Sequence, residues 1–390
     1  MLNKKLYFKK MISNFIFNNL FISIYFKKME VSCKIMNYYE FEIGKFANKL
    51  VREIFKLKPG EEFVITADTR TDPRLVDATA AAAFSVDAKP VVIWYAFPLA
   101  WGQSADPNLP VKVLSGALKE ADAWVEFGIL LFATPYRVAM RENKKLRYLC
   151  LGGSDLDLLV RNIGRVDIPT LKKLMDRTSG MLKKSKHIRF TTSAGTDIEF
   201  DMPKTEDGQH DPNYTVGRSD GYADKPGSHM MCGQLAWSPK MDTINGKLVL
   251  DGSLVYGNLA GGIIKEPFTL TIKAGEIVKV EGGREAKEFE ETMKRYNHPQ
   301  MLRLAHTAIG LNPGAKLTGN MLEDERFWGS TEWGIGNIDP MLIAPKGVDA
   351  PGHCDAICLN TSVYLDGKLF MKDGKFLVPE LAEMAKKLGK

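Results

Sequence analysis

No CxxC pair occurs anywhere in the chain, and no unbroken hydrophobic run is long enough to span a bilayer with confidence. The five cysteines, Cys33, Cys150, Cys232, Cys354 and Cys358, are odd in number and scattered. That argues against a thiolate zinc site and offers no disulfide framework. A chain of 390 residues needs no staples, so a reducing cytoplasm is the expected compartment. No GxGxxG follows the first predicted strand, which leaves a dinucleotide site unsupported. Internal repeats and low-complexity linkers are missing too. Histidine is scarce, with six in all, so each can be weighed separately.

What is present is the composition of a globular protein, 45% hydrophobic and 26% charged. The length allows one or two domains. The formal net charge of +6 hints only weakly at an acidic partner, because part of the excess lies in one odd segment. That segment is "MLNKKLYFKKMISNFIFNNLFISIYFKKM". Its Lys-rich start resembles a signal peptide, but Asn14, Asn18 and Asn19 interrupt the apolar part and no small-residue cleavage site follows. Its residue types are encoded by A/T-rich codons, so translated upstream DNA is the favoured reading. Met29 or Met36 would then be the true start. Neither a nucleic-acid partner nor a membrane is expected.

Past this extension, strands and helices alternate. "EFEIGKFANKLVREIFKL" has helical apolar spacing, "EEFVITAD" reads as a strand, and "DPRLVDATAAAAFSVDA" as a small-residue helix with Asp72 near its start. "KPVVIWYA" reads as a buried-type strand, "VLSGALKEA" as a helix, and "DAWVEFGI" and "LRYLCLGG" as further strands. Such alternation predicts a parallel sheet with helices on its faces. After about residue 185 the texture changes. "KHIRFTTSAGTDIEFDM" reads as a hairpin. "GKLVLDGSLVYG", "EPFTLTIKAGEIVKVEGG" and "TSVYLDGKLFMKDGKFLV" read as strands joined by Asp-Gly or Ala-Gly turns. The expected fold is an α/β N-terminal domain with a parallel sheet, over 36–184, and a mainly antiparallel-β C-terminal domain, over 185–390. Residues 1–35 are set aside as the extension.

Of the histidines, His187 and His210 are expected at the solvated surface, and His298 at a helix end. His229, in "GYADKPGSHMMCGQLAW", sits among residues that suggest a shaped loop. It is either a loop histidine bonded to a backbone carbonyl or a pocket acid or base. His306, in "LRLAHTAIGLNPGAK", has apolar neighbours; a lone histidine of this kind is more often a satisfied core residue than a ligand. "DAPGHCDAICLN" raises its standing, because His353 and Asp355 are two apart in an extended run and so share one face. Burying two imidazoles and a carboxylate in such segments is costly unless they share a partner. A divalent cation would serve, and two histidines with one carboxylate are the donor set of non-haem Fe(II). The same set would hold Zn, Mn or Co. Glu332, in "FWGSTEWGIGN", precedes what reads as a Gly-rich turn. It is a candidate fourth ligand, or a base acting on metal-bound water; the alternative is a strand-end acid in solvent.

"GYADKPG", "LVLDG", "EGGREAKEF", "AHTAIGLNPGA" and "APGHCD", in this order, resemble the 2,5-dihydroxypyridine 5,6-dioxygenases and their relatives, the aminopeptidase T-like metallopeptidases. The likeness covers most of residues 45–378. It implies an α/β domain, a largely β metal-binding domain and a homo-oligomer. It implies His306, His353 and Asp355 as metal ligands and His229 as a pocket histidine. The chain also departs from the family pattern. Glu332 stands where the dioxygenases have an apolar residue. Phe132 and Ala133 stand where those enzymes carry a loop histidine. Gln234 replaces a peptidase glutamate.

Glu332 supplies a base that the oxygenase does not use, and the loop at Phe132 lacks one that it does. On that ground the expected reaction is hydrolytic ring opening, by C–C cleavage, of a small cyclic diketone such as dihydrophloroglucinol. One divalent ion would assist it, with Glu332 and His229 catalytic and Trp333 and Phe132 against the substrate. The alternatives are an Fe(II)-dependent ring-cleaving dioxygenase of a hydroxypyridine and a metallo-aminopeptidase. A metal-stabilised binding protein without turnover also stays open.

Overall fold

The computed structural model describes residues 39–256 and 261–390. The expected extension, residues 1–35, lies outside them. Met1–Glu42 and Ile43–Lys390 are separate units, and every strand of the described residues belongs to the second.

The first half of that unit is the expected α/β layer. β1 (Glu62–Asp68), β2 (Lys89–Tyr95), β3 (Ala123–Glu126) and β4 (Arg147–Cys150) run parallel. The helices α1 (Pro73–Phe84), α2 (Val111–Glu120) and α3 (Thr134–Glu142) fall between them. Asp72 caps α1 by accepting from the Arg74 N–H, with Pro73 at the first helical position. "KPVVIWYA" is not a buried strand. It forms the sheet's edge, where Val91, Val92 and Trp94 are exposed. An apolar run cannot tell a central strand from an edge one.

The helix α4 (Ile168–Lys184) leads into the β half. β5 (His187–Thr191) and β6 (Asp197–Asp201) form the expected hairpin. β7 (Val216–Ser219), β8 (Gly227–Met230), β9 (Gln234–Trp237), β10 (Asn245–Leu250), β11 (Ser253–Tyr256) and β12 (Gly261–Ile263) follow. Next come β13 (Phe268–Lys273), β14 (Glu276–Glu281), the helix α5 (Arg284–Arg295), β15 (Leu304–Gly310), β16 (Thr331–Ile338) and β17 (Val348–Cys358). β18 (Ser362–Leu365), β19 (Lys368–Lys372), β20 (Lys375–Phe376) and α6 (Pro379–Lys387) end the chain.

These strands make two antiparallel sheets, ordered β14-β13-β10-β6-β5-β18-β19-β20 and β12-β11-β17-β16-β15-β9-β7. β8 instead returns to the parallel sheet, pairing with β4. The Ala-Gly and Asp-Gly turns at 274–275, 366–367 and 373–374 have both residues at positive φ, as two-residue hairpins require. Asp251-Gly252 is different. It carries the chain from one antiparallel sheet to the other, because β10 and β11 belong to different sheets. A side chain at Gly252 would collide with Ile357.

The two antiparallel sheets meet through aromatic rings. Phe190 and Phe200 of one pack edge-on or tilted against Trp237 and Trp333 of the other. Strand alternation then decides what faces away. In β16, Thr331, Trp333 and Ile335 form one set, while Glu332, Gly334 and Gly336 form the other. With Trp333 committed to the inter-sheet core, Glu332 must project from the opposite face.

Candidate metal centre

The pairing register brings five polar side chains onto that opposite face. His306 of β15 lies beside Gly334, and Ala308 beside Glu332. From β17, Asp355 lies beside Gly334 and His353 beside Gly336. From β9, Gln234 lies beside Gly310. All five sit mid-sheet, where neighbouring strands fix the backbone.

The ligand atoms of His306, His353 and Asp355 lie within 4.8 Å of one another. His353 Nε2 is 2.9 Å from Asp355 Oδ1, and His306 Nε2 is 3.8 Å from the same oxygen. The two imidazoles are nearly parallel, 4° apart, with centroids 5.2 Å apart. His353 Nδ1 lies 2.8 Å from the Asn337 carbonyl. A carbonyl only accepts, so Nδ1 carries the hydrogen and Nε2 is the nitrogen left to face the cluster. A backbone anchor of this kind is how metal-binding imidazoles are oriented. Two nitrogens and one carboxylate oxygen, all converging, fit a divalent ion.

Gly334 makes room for this arrangement. A Cβ there would come within 2.2 Å of the His306 ring. The expected Gly-rich turn after Glu332 is therefore a stretch of β16, with its glycines placed under neighbouring side chains.

Glu332 is 1% exposed, and its Oε1 is 3.0 Å from His306 Nε2. Burial raises its carboxyl above the ordinary range. His306 responds in the other direction. Burial opposes its charge, but the Glu332 and Asp355 carboxylates prevail and push it up to about 9. Asp355 is held below its ordinary value, because the two histidines outweigh the burial that would raise it. Gln234 Nε2 donates to Glu332 Oε2 at 2.5 Å and to Glu325 Oε2 at 2.7 Å. Glu325 is paired with Arg326, and burial pushes its carboxyl up to about 7.

Other expected site residues lie elsewhere. Trp333 is fully buried between Phe190 and Phe200 and cannot touch a substrate on the metal face; strand alternation puts it on the wrong side. His229 belongs to β8, not to a loop, and its Nε2 donates to the Lys225 carbonyl at 2.8 Å. That is the backbone-bonded alternative, and it engages one of the two ring nitrogens. Phe132 sits in the loop after β3 at φ 62°. Its ring packs edge-on against Trp101 and Tyr136. That loop is pinned by buried Glu126, whose Oε1 accepts from the Leu130 and Leu131 N–H groups.

Comparison with known proteins bears on the chemistry. The family model for 2,5-dihydroxypyridine 5,6-dioxygenase matches residues 45–378. The 2,5-dihydroxypyridine 5,6-dioxygenase of Pseudomonas putida (strain KT2440) is 27% identical over 333 residues, covering 80% of this chain and 89% of that protein. The solved structure of the dihydroxypyridine dioxygenase from Pseudomonas putida KT2440 has a TM-score of 0.70 at 23% identity, covering 88% of this chain and 99% of that one. Wild-type AmpT from Thermus thermophilus has a TM-score of 0.61 at 14% identity, covering 87% and 100%. At these identities the two structures speak for the fold alone.

The expectation of hydrolytic diketone opening is corrected by these matches, since the family and the sequence relative are both named 2,5-dihydroxypyridine 5,6-dioxygenase, an oxygenase and not a hydrolase. That expectation leaned on Glu332. Glu332 does not displace the complete His-His-Asp set, and one of its oxygens is already engaged by Gln234. Among the described residues, no helix is long and apolar enough to cross a membrane.

Proposed function

The chain belongs to the 2,5-dihydroxypyridine 5,6-dioxygenase family, and from that membership we propose that it cleaves the ring of a hydroxylated pyridine with O₂. The observation that carries this reading is the convergence of the His306, His353 and Asp355 donor atoms on one face of a sheet. His306, His353 and Asp355 would hold the ion, and iron(II) is the ion this reading assigns to them. When bound, iron(II) supplies the redox chemistry that O₂ needs to react with a closed-shell ring. His353, fixed by its Nδ1 anchor, presents one defined nitrogen. Asp355 balances part of the cation's charge.

The chain has no histidine at the Phe132 loop, so proton handling falls to another group. Glu332 is that group. Its Oε1 lies on the metal face, 3.0 Å from His306 Nε2. Its carboxyl is raised by burial, the direction that makes it a stronger base toward a ring hydroxyl proton. Phe132, whose ring packs edge-on against Trp101 and Tyr136, is the wall this reading assigns to a flat ring, in the loop where the family carries its histidine.

The experiment is purification without oxygen, loading with iron(II), and an oxygen-electrode assay with 2,5-dihydroxypyridine. The expected result is one O₂ consumed per ring opened, both oxygen atoms from ¹⁸O₂ appearing in the product, and no reaction under nitrogen. Ring opening under nitrogen at an unchanged rate would overturn the oxygenase reading.

A further inference from the structure

The face that carries His306, His353 and Asp355 also carries a residue with no assigned part in the chemistry. Gln234, 7% exposed, directs its side-chain nitrogen at two carboxylates, Glu332 Oε2 and Glu325 Oε2. An amide nitrogen has two hydrogens and accepts none, and each carboxylate oxygen it faces can accept one. Both hydrogens are therefore committed, one to each acid. The far end of the chain of contacts is anchored to backbone. Glu325 pairs with Arg326, whose guanidinium donates to the Met231 carbonyl at 2.8 Å and the Leu322 carbonyl at 2.7 Å. The near end is Glu332 Oε1, 3.0 Å from His306 Nε2.

We propose that Gln234 is a positioning residue that holds one oxygen of Glu332 away from the ion, so that Glu332 can offer it no more than the other. This rests on the metal-site reading above. A carboxylate can bind a cation through one oxygen or through both. Glu332 is 1% exposed and Gln234 7%, so a hydrogen bond onto Oε2 is hard for solvent to replace. The amide thus sets how many positions stay open around the ion. Two protein oxygens from Glu332 would crowd out the small molecules that an oxygenase must admit. With at most one, room for them remains, and an Oε1 that stays off the ion keeps its place as the base. It also explains how an acid can stand at position 332 without closing the site.

The test uses manganese(II), whose bound waters are counted by water-proton relaxation. The wild-type chain should bind one ion, and His353→Ala should lose it. Gln234→Met keeps the side chain's length and removes both hydrogens. It should still bind one ion, but with relaxation enhancement lowered by about the share of one water. Its affinity should change by ~10-fold, the usual scale for groups that orient metal ligands. In a Glu332→Gln background the same replacement should change neither quantity further. A merely structural role would leave the water count alone. If Gln234→Met does not fold, Gln234→Asn, which keeps the amide but cannot reach both acids, should shift the same two readouts. Unchanged relaxation and affinity in the folded variant would overturn the role of Gln234 while leaving the metal site standing. Manganese binding that survives His353→Ala intact would overturn the metal-site reading, and this inference with it.

Discussion

At the scale of single residues, the protonation of His306 would govern how an ion enters the proposed site. In the metal-free protein its imidazole is pushed up to about 9 by the neighbouring carboxylates, so at pH 7 it carries a proton that the ion must displace. Metal affinity should then rise with pH, about tenfold per unit between pH 7 and 9, and loading at pH 7 should release about one proton. Titration in two buffers of different ionisation enthalpy measures that release; a value of zero would show His306 to be neutral or not a ligand. Glu332→Gln should fold normally and lower turnover by about 10²–10⁴-fold, the range for a lost acid–base group. Wild-type turnover in that variant would make Glu332 a bystander. His306, His353, Asp355 and Glu332 can all be picked out from sequence, because scarce polar residues in apolar runs stand out. Glu325 cannot. It lies in "LEDERFW", a run of charge that reads as solvated surface, yet Glu323, Asp324 and Arg326 are all fully buried. Only tertiary pairing makes such burial tolerable, and pairing is not written in local pattern.

At the scale of elements, the site depends on three adjacent strands keeping register, and Gly334 is the tightest point. A methyl group there would meet the His306 ring at 2.2 Å. Gly334→Ala leaves the backbone conformation of β16 permissible, so the sheet should survive with the imidazole pushed aside. Metal affinity should drop at least ~10-fold while the far-ultraviolet dichroism stays that of the wild type. Metal binding at full strength would mean that the ring has slack not evident in its packing. Glycine pairs usually punctuate chains, which is why "WGIGN" reads as a turn. Here they sit inside a strand because bulky neighbours lean over it. The same contest explains Trp333. Its position beside Glu332 in sequence suggests a shared pocket, but alternation sends the two side chains to opposite faces. The hairpins at 274–275, 366–367 and 373–374 are legible because their turn chemistry is local. Asp251-Gly252 shows the limit, since the same dipeptide here carries the chain between sheets.

At the scale of the whole molecule, buried acids tie stability to pH. Glu126 is fully buried, and its carboxyl is pushed up to about 7 by that burial, from an ordinary 4.5. Between those two values the folded chain keeps a proton that the unfolded chain has released, so stability falls as pH rises through that window. Glu325 acts in the same direction. Glu126→Gln retains an acceptor for the Leu130 and Leu131 N–H groups and lets the Tyr148 hydroxyl turn from donor to acceptor. It should therefore gain on the order of 3 kcal/mol at pH 8 relative to pH 5, compared with the wild type. Urea unfolding at the two pH values measures this; an unchanged difference would assign the slope to other groups. The alternation of strands and helices makes the two-part architecture readable, but not the strand that crosses between the parts. β8 is built after the first antiparallel hairpin, yet it completes the parallel sheet beside β4, and Ser228 within it meets the Tyr136 hydroxyl at 3.1 Å. During synthesis, the first layer must wait with an open edge while part of the second is made. A gene cut at the apparent boundary near residue 185 would give a first piece lacking its last strand and a second carrying a strand with nothing to pair with. Shuffling the halves among relatives would have to move that strand with the layer it finishes, not with the chain segment that encodes it.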